Sequence, residues 1–182
     1  NQKYWPILEF AEAHNVPIYL HPFFPQQGLI DAYFKGREEL TGPEWAFMVD
    51  ASSHFMRMLT GGVFDQFPKL KIILGHLGES IPYNMERIDN RLSAYAKDKL
   101  KKSAAEYIKE NLYVTTSGNF SIPSLLCAIG TIGIDHVLFS VDYPNEANKV
   151  GVNFLNNLPV SQSDLEKIAC KNAAKLLNLK DF

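Results

Sequence analysis

Short apolar runs alternate along this chain with longer segments in which apolar residues recur at helical spacing. Short β-prone runs of this kind are typical of buried parallel strands. We predict four strands, at Val16–His21, Lys71–His76, Leu112–Thr116 and His136–Asp142. Three of these runs end in a side chain that can bind a metal ion or transfer a proton, namely His21, His76 and Asp142.

The segments between the strands carry apolar residues at intervals of three and four, which predicts helices. The expected helices are Asn1–Asn15, Pro43–Leu59, a long helix from Ser80, Ile122–Ile132 and Ser161–Leu177. A strand followed by a helix, repeated without a linker, predicts a single α/β domain over residues 1–182.

Four strand-and-helix units make up half of an eight-stranded (β/α)8 barrel. A parallel sheet of four strands with helices on one side only would leave its other face exposed. We therefore expect either further strands upstream of Asn1 or a second chain that completes the sheet, and hence a homo-oligomer.

The composition is that of an ordinary globular domain, with 46% apolar and 21% charged residues. A net charge of −2 gives no overall attraction to nucleic acid or to an anionic membrane, and no apolar run has the length of a membrane span. The basic cluster Lys97–Lys102 is expected to be the solvated end of a helix. Cys127 and Cys170 are far apart in helical surroundings, which predicts free thiols and a cytoplasmic location.

Parallel strands gather their carboxyl ends at one edge of a sheet, so we expect His21, His76 and Asp142 to meet in one cavity. Two imidazoles and a carboxylate in one place favour a divalent-metal site or an acid–base site. His21 by itself is also compatible with a hydrogen-bonded structural histidine. Asp142 is harder to explain by packing, because a carboxylate that closes an apolar strand needs a charged or metal partner.

Two charged residues that follow His76 have a functional and a structural interpretation. Glu79, three residues on, either orients the imidazole or is an acidic residue at a helix start. Arg87, eleven residues on, either clamps a substrate carboxylate with its forked guanidinium or pairs with a neighbouring acid on the surface. The remaining histidines are expected in caps, in packing or on the surface, and they are His14, His54 and His136.

Four motifs, in order along the chain, together resemble one family. They are Pro17–Pro22 (PIYLHP), Gly75–Asp89 (GHLGESIPYNMERID), Tyr113–Phe120 (YVTTSGNF) and Phe139–Pro144 (FSVDYP). The family is that of the amidohydrolase-related, metal-dependent decarboxylases of the γ-resorcylate, 2,3-dihydroxybenzoate and 5-carboxyvanillate type. The resemblance spans nearly the whole chain and implies a distorted (β/α)8 barrel, of which this chain supplies about the last four βα units.

The resemblance also implies roles for individual residues. His21 resembles a metal ligand, and Asp142 resembles a metal ligand that is also the catalytic acid or base. His76 and Glu79 resemble the neighbouring catalytic pair. The implied cofactor is one Zn²⁺ or Mn²⁺, whose other ligands in the family come from an N-terminal Glu-x-His or Glu-centred motif with no counterpart in this sequence.

Substrate contacts are implied for Arg87, Phe23 and Asn119. The implied reaction is non-oxidative decarboxylation of a hydroxybenzoate-type acid, in which Asp142 donates a proton to the ring carbon. Two alternatives stay open, namely hydrolysis of a lactone or amide by the same constellation and a folded fragment or scaffold without a complete site. The expected partner is a small aromatic acid, not nucleic acid or a membrane.

Overall fold

A computed structural model of the chain describes residues 2–96 and 98–180. Two residues that the sequence analysis assigns to the first helix and the basic cluster, Asn1 and Lys97, lie outside the described residues. The last two residues of the predicted domain, Asp181 and Phe182, also lie outside them.

All four predicted strands are present, each shorter than its apolar run. They are β1 (Ile18–Leu20), β2 (Ile72–Leu74), β3 (Leu112–Thr115) and β4 (Val137–Leu138). The strands are parallel and lie in the sheet in their order along the chain, β1-β2-β3-β4. Their carboxyl ends therefore form one row, with β1 and β4 at its two ends.

Helices connect the strands and follow the last of them. The α-helices are α1 (Trp5–Ala13), α2 (Gln27–Leu29), α3 (Ala46–Thr60), α4 (Val63–Gln66), α5 (Ile81–Ala96), α6 (Ala104–Asn111), α7 (Ile122–Ile132), α8 (Asn148–Asn156), α9 (Gln162–Glu166) and α10 (Asn172–Leu176). The five predicted helices correspond to α1, α3, α5, α7 and the segment from α9 to α10. Helices α2, α4, α6 and α8 were not predicted. The described part of the basic cluster follows the end of α5.

One face of the sheet forms the main core with the helices. Alternate strand residues point to this face, because successive side chains of a strand lie on opposite sides of a sheet. Ile72, Leu74, Leu112, Val114 and Val137 are fully buried in this core. Burial of this many aliphatic side chains is the main favourable term that holds the strand ends in place.

The other face of the sheet is covered only in part. Tyr19 of β1 is 45% exposed there, whereas Ile73 and Leu138 are buried against Leu176 of α10. The C-terminal segment therefore crosses this face, and Asn178 donates a hydrogen bond of 3.4 Å to the carbonyl of Asn15, just before β1. The expectation that this whole face is exposed was thus wrong for β2 and β4, because α10 returns to cover them.

The fourth strand and the last predicted helix are both interrupted where they contact each other. The fourth strand ends at Leu138 instead of Asp142, because the Phe139 N–H donates to the Ile168 carbonyl at 2.9 Å and not to a neighbouring strand. Ile168 lies in a π-helical segment, Lys167–Lys171, that separates α9 from α10. A π-helical turn changes the partners of the helix carbonyls. One of them thereby fastens the last helix to the strand that leads to Asp142.

Both cysteines are free thiols, as predicted. Within residues 2–96 and 98–180, no helix combines the length and apolar character needed to cross a bilayer.

Candidate active site

The turn that follows β2 has an unusual backbone. His76, Leu77 and Glu79 have φ angles of 53°, 58° and 57°, in the left-handed region that side chains disfavour. Asp142, after β4, also has a positive φ, of 79°. Each such residue costs of the order of 1 kcal/mol or more, and strain of this kind is concentrated at functional sites. His76, Glu79 and Asp142, which carry the candidate acid–base groups, all have such strained backbones.

His76 and Glu79 form a hydrogen-bonded pair within this turn. Nδ1 of His76 lies 2.5 Å from Oε1 of Glu79, whose side chain is only 6% exposed. The hydrogen bond that His76 donates to Glu79 raises the pKa of His76 above its usual value, against the opposite effect of burial, and the charges of Glu79 and Asp142 raise it further. Glu79 therefore orients the imidazole and favours its protonated form.

Asp142 lies on the other side of the same imidazole. Its Oδ2 atom is 3.7 Å from Nε2 of His76, a separation within ion-pair range but longer than a hydrogen bond. Both side chains are about one quarter exposed. Glu79, His76 and Asp142 thus form a row in which the imidazole has a carboxylate on each side.

The segment after β3 holds the His76 backbone and the backbone that leads to Asp142. Ser117 accepts a hydrogen bond from the His76 N–H at 3.3 Å, and the Asn119 amide donates to the His76 carbonyl at 3.2 Å. Thr116 donates to the carbonyl of Ser140 at 2.8 Å and accepts from its N–H at 3.0 Å. These bonds replace the strand pairing that β4 lacks beyond Leu138. They fix the backbone that leads to Asp142.

Gly118 lies against both His76 and Asp142. A Cβ atom at this position would be 2.8 Å from Cδ2 of His76 and 3.3 Å from Oδ2 of Asp142. Its φ of 63° is also one that favours glycine. The absence of a side chain at Gly118 is what allows the imidazole and the carboxylate to approach each other.

His21 follows β1, at one end of the row of strand ends. It is exposed after β1, and its Nδ1 atom lies 2.7 Å from the carbonyl oxygen of Pro22. Among the residues that the structure describes, no three His, Cys, Asp or Glu side chains are close enough to hold a metal ion. The structure brings His76 and Asp142 together. That His21 shares one cavity with them stays a prediction.

The three residues with implied substrate contacts have different surroundings. Arg87 is exposed on α5, in a shallow recess lined also by Tyr83 and Asn90. Phe23 is exposed after His21, and its N–H donates to the carboxylate of Asp50 at 3.2 Å. Asn119 holds the His76 backbone, a contact that sequence reasoning did not predict for it. Their roles toward a substrate stay predictions.

The residues that sequence reasoning missed are those that position the row. Thr116, Ser117 and Gly118 lie in the run Thr-Thr-Ser-Gly-Asn that ends β3. A cluster of small polar residues at the carboxyl end of a barrel strand is a signal for a site, but within this motif the sequence analysis gives a role to Asn119 alone. The remaining histidines are where they were expected. His14 bonds to the Phe10 carbonyl, His54 pairs with Asp50, and His136 bonds to the Leu112 carbonyl.

Comparison with known proteins decides the family. The model of the family described as amidohydrolase matches residues 1–179. The chain belongs to the amidohydrolase family. Its parallel sheet and helices are those of the (β/α)8 barrel of this family, of which it contains four units.

Two curated amidohydrolase relatives carry the same name. The chain is 42% identical to the gamma-resorcylate decarboxylase of Polaromonas sp. (strain JS666), over 97% of this chain and 55% of the relative. It is 39% identical to the gamma-resorcylate decarboxylase of Rhizobium sp. (strain MTP-10005), with the same coverage of both chains. The chain therefore spans about half the length of the curated relatives that it matches.

Solved structures give the same relationship. The dihydroxybenzoic acid decarboxylase of Polaromonas sp. JS666, solved with bound manganese and the inhibitor 2-nitroresorcinol, superposes with a TM-score of 0.94 at 40% identity. That comparison covers all of this chain and 55% of the other. The 5-carboxyvanillate decarboxylase of Sphingomonas paucimobilis gives a TM-score of 0.92 at 30% identity, over 99% of this chain and 54% of the other.

Proposed function

We propose that the protein is a metal-dependent decarboxylase of hydroxybenzoate-type acids, with 2,6-dihydroxybenzoate as its first candidate substrate. The observation that carries the proposal is the row of Glu79, His76 and Asp142 at the carboxyl edge of the sheet. The named activities of the relatives support it, since those at 42% and 39% identity are gamma-resorcylate decarboxylases. A cytoplasmic location is proposed with it, because both cysteines are free.

The donor atoms of this chain fit part of a divalent-metal site. His21 has its Nδ1 atom 2.7 Å from the Pro22 carbonyl, an arrangement in which Nδ1 donates and Nε2 offers its lone pair. Asp142 offers carboxylate oxygens that are partly exposed. One imidazole nitrogen and one carboxylate suit Mn²⁺ or Zn²⁺ but do not complete a coordination shell. We propose manganese, because related structures were solved with it.

When bound, the metal would supply positive charge for the substrate carboxylate and the adjacent hydroxyl. Asp142 transfers its proton to the ring carbon that bears the carboxylate, and a C–H bond forms there. The bond from that carbon to the carboxylate then breaks, its electron pair restores the aromatic ring, and CO₂ leaves. His76, held by Glu79 and favoured in its cationic form, stabilises the carboxylate that remains on Asp142. Arg87 is proposed to bind the substrate carboxylate.

The test uses the gene product at its natural length, with Mn²⁺ and 2,6-dihydroxybenzoate. We expect release of CO₂ together with resorcinol. Asp142→Asn should lower the rate by about 100-fold or more, because an amide keeps an oxygen ligand but cannot donate the proton. Asp135→Asn is the matched control, since its exposed carboxylate pairs with Lys167 at 2.9 Å.

Release of CO₂ by Asp142→Asn at nearly the wild-type rate would exclude Asp142 as the acid. Hydrolysis of a lactone or amide panel without any CO₂ release from hydroxybenzoates would replace the proposed reaction by the hydrolytic one.

A further inference from the structure

Three hydroxyl groups from two strands form a closed triangle behind His76. The Tyr19 hydroxyl lies 3.0 Å from Oγ1 of Thr115 and 3.3 Å from Oγ of Ser117. Oγ1 of Thr115 lies 2.8 Å from Oγ of Ser117. We call Tyr19, Thr115 and Ser117 the hydroxyl triangle. Two of its members are almost inaccessible, with Thr115 and Ser117 each 3% exposed.

Each hydroxyl of the triangle has a hydrogen-bond partner within it, and Ser117 can still accept a further hydrogen bond from His76. Each hydroxyl has one proton and two lone pairs, so each can donate once and accept once around the triangle. Ser117 then keeps a second lone pair, and the His76 N–H donates to it at 3.3 Å. Bonds in such a chain polarise and strengthen one another. The orientation of the Ser117 hydroxyl therefore depends on Tyr19, from the first strand.

Gly75 provides the space for this contact. Tyr19 pairs with Ile73 of β2, and its ring passes over the strand toward β3. A Cβ atom on Gly75 would lie 3.0 Å from Oγ of Ser117 and 3.1 Å from the Tyr19 hydroxyl. Such distances are shorter than ordinary carbon–oxygen contacts. A glycine directly before His76 thus leaves room for two of the hydroxyls that hold it.

We propose that Tyr19 is a positioning residue for His76, which it holds through Ser117 at the distance from Asp142 that the reaction requires. The inference rests on the proposed function, since it assigns Tyr19 to the same reaction. His76 has a strained backbone, and its two peptide hydrogen bonds, to Ser117 and from Asn119, oppose that strain. Loss of the Tyr19 hydroxyl allows the Ser117 side chain to rotate, which weakens the hydrogen bond from the His76 N–H to Ser117.

The experiment uses the natural-length protein with Mn²⁺ and 2,6-dihydroxybenzoate. Tyr19→Phe keeps the ring and removes the hydroxyl, and we expect kcat to fall about 10-fold with KM changed less than about twofold. The double variant Tyr19→Phe with Ser117→Ala should be no slower than Ser117→Ala alone, because both act through one contact. The control is Tyr113→Phe, which is in register with Ile73 on the next strand and stacks on His136.

A second readout is independent of turnover. Hydrogen exchange of the His76 amide should be faster in Tyr19→Phe than in wild type and unchanged in Tyr113→Phe. Wild-type kcat, a rise in KM alone, or unchanged His76 exchange in Tyr19→Phe would each overturn the inference. If the wild-type protein releases no CO₂ from any hydroxybenzoate, the proposed function fails by itself. The exchange of the His76 amide then decides whether Tyr19 positions that residue.

Discussion

Gly118 lies so close to His76 that a Cβ atom would come within 2.8 Å of the imidazole Cδ2. The same atom would be 3.3 Å from the Asp142 carboxylate. This glycine therefore determines whether the imidazole and the carboxylate can remain 3.7 Å apart. It also has a backbone conformation that alanine disfavours, with φ at 63°.

Gly118→Ala is expected to reduce CO₂ release at least about 10-fold and to lower the free energy of unfolding by about 1 kcal/mol or more. Turnover assays and urea unfolding measure the two effects. Gly130→Ala is the control, because this glycine is inside α7 and a new Cβ would have no atom within 4 Å besides the adjacent residues and the helix's own backbone. It should be neutral or stabilising by about 0.5–1 kcal/mol. Equal activity of the two variants would show that the space at Gly118 is not needed.

Glu79→Gln is expected to lower the pKa of His76, since the hydrogen bond that His76 donates to Glu79 is the main cause of its increase. The His76 ring signals, followed by NMR over pH in the presence of a chelator, measure the change. Glu166→Gln is the control, on the surface of α9 next to Lys171. A His76 pKa that is the same in wild type and Glu79→Gln would contradict the assignment.

The raised pKa of His76 also predicts how the free energy of unfolding depends on pH. Because the pKa of His76 is raised in the folded state, its protonation stabilises the fold. This stabilisation is complete below the unfolded-state pKa of about 6.5 and is lost as pH rises through the folded-state pKa. The difference in free energy of unfolding between wild type and Glu79→Gln should therefore be larger at about pH 6 than at about pH 9. Urea unfolding at both pH values measures it.

Tyr107→Phe is expected to destabilise the fold by about 1–3 kcal/mol. Tyr107 is 2% exposed, and its hydroxyl donates to Asp65 and accepts from the N–H groups of Lys101 and Lys102 at 3.1 and 3.0 Å. Burial raises its pKa to about 12, so its contribution should be complete below about pH 10 and lost between there and pH 12. Tyr33→Phe, at a 77% exposed position, should leave the urea midpoint unchanged.

A polypeptide of residues 1–182 produced alone is expected to bind Mn²⁺ weakly and to have no activity as a monomer. His21 and Asp142 provide fewer ligands than a divalent ion usually binds. One face of the sheet is also partly exposed at Tyr19, which favours association with another chain. Metal analysis and light scattering measure occupancy and size. One tightly bound ion per monomer, together with CO₂ release, would contradict this expectation.

The strands and most helices were predictable because they depend on local periodicity. The limits of α7, Ile122–Ile132, were predicted without error. The short helix α6 was missed beside the basic cluster, although Ser103 and Glu106 form a capping box that can be read from the sequence. Helix α8 has no side-chain cap and buries only Gly151 and Phe154, so its signal is weak.

The site was predictable to the extent that it follows from strand topology. The pairing of His76 with Glu79 followed from their spacing, and the approach of His76 to Asp142 followed from the strand ends. The hydroxyl triangle was not predictable, because it joins β1 to the end of β3, 96 to 98 residues apart. A tyrosine in the middle of a strand has the same sequence pattern whether it packs or positions a neighbour.

The groups proposed for the reaction follow the strands in chain order: His21 after β1, His76 and Glu79 after β2, the positioning segment after β3, and Asp142 after β4. The connections on the opposite edge of the sheet carry none of these parts. Insertions or exchanges in those connections can therefore accumulate without touching the reaction. Lengthening any of the four loops on the site's own edge would change one specific component and leave the other three in register.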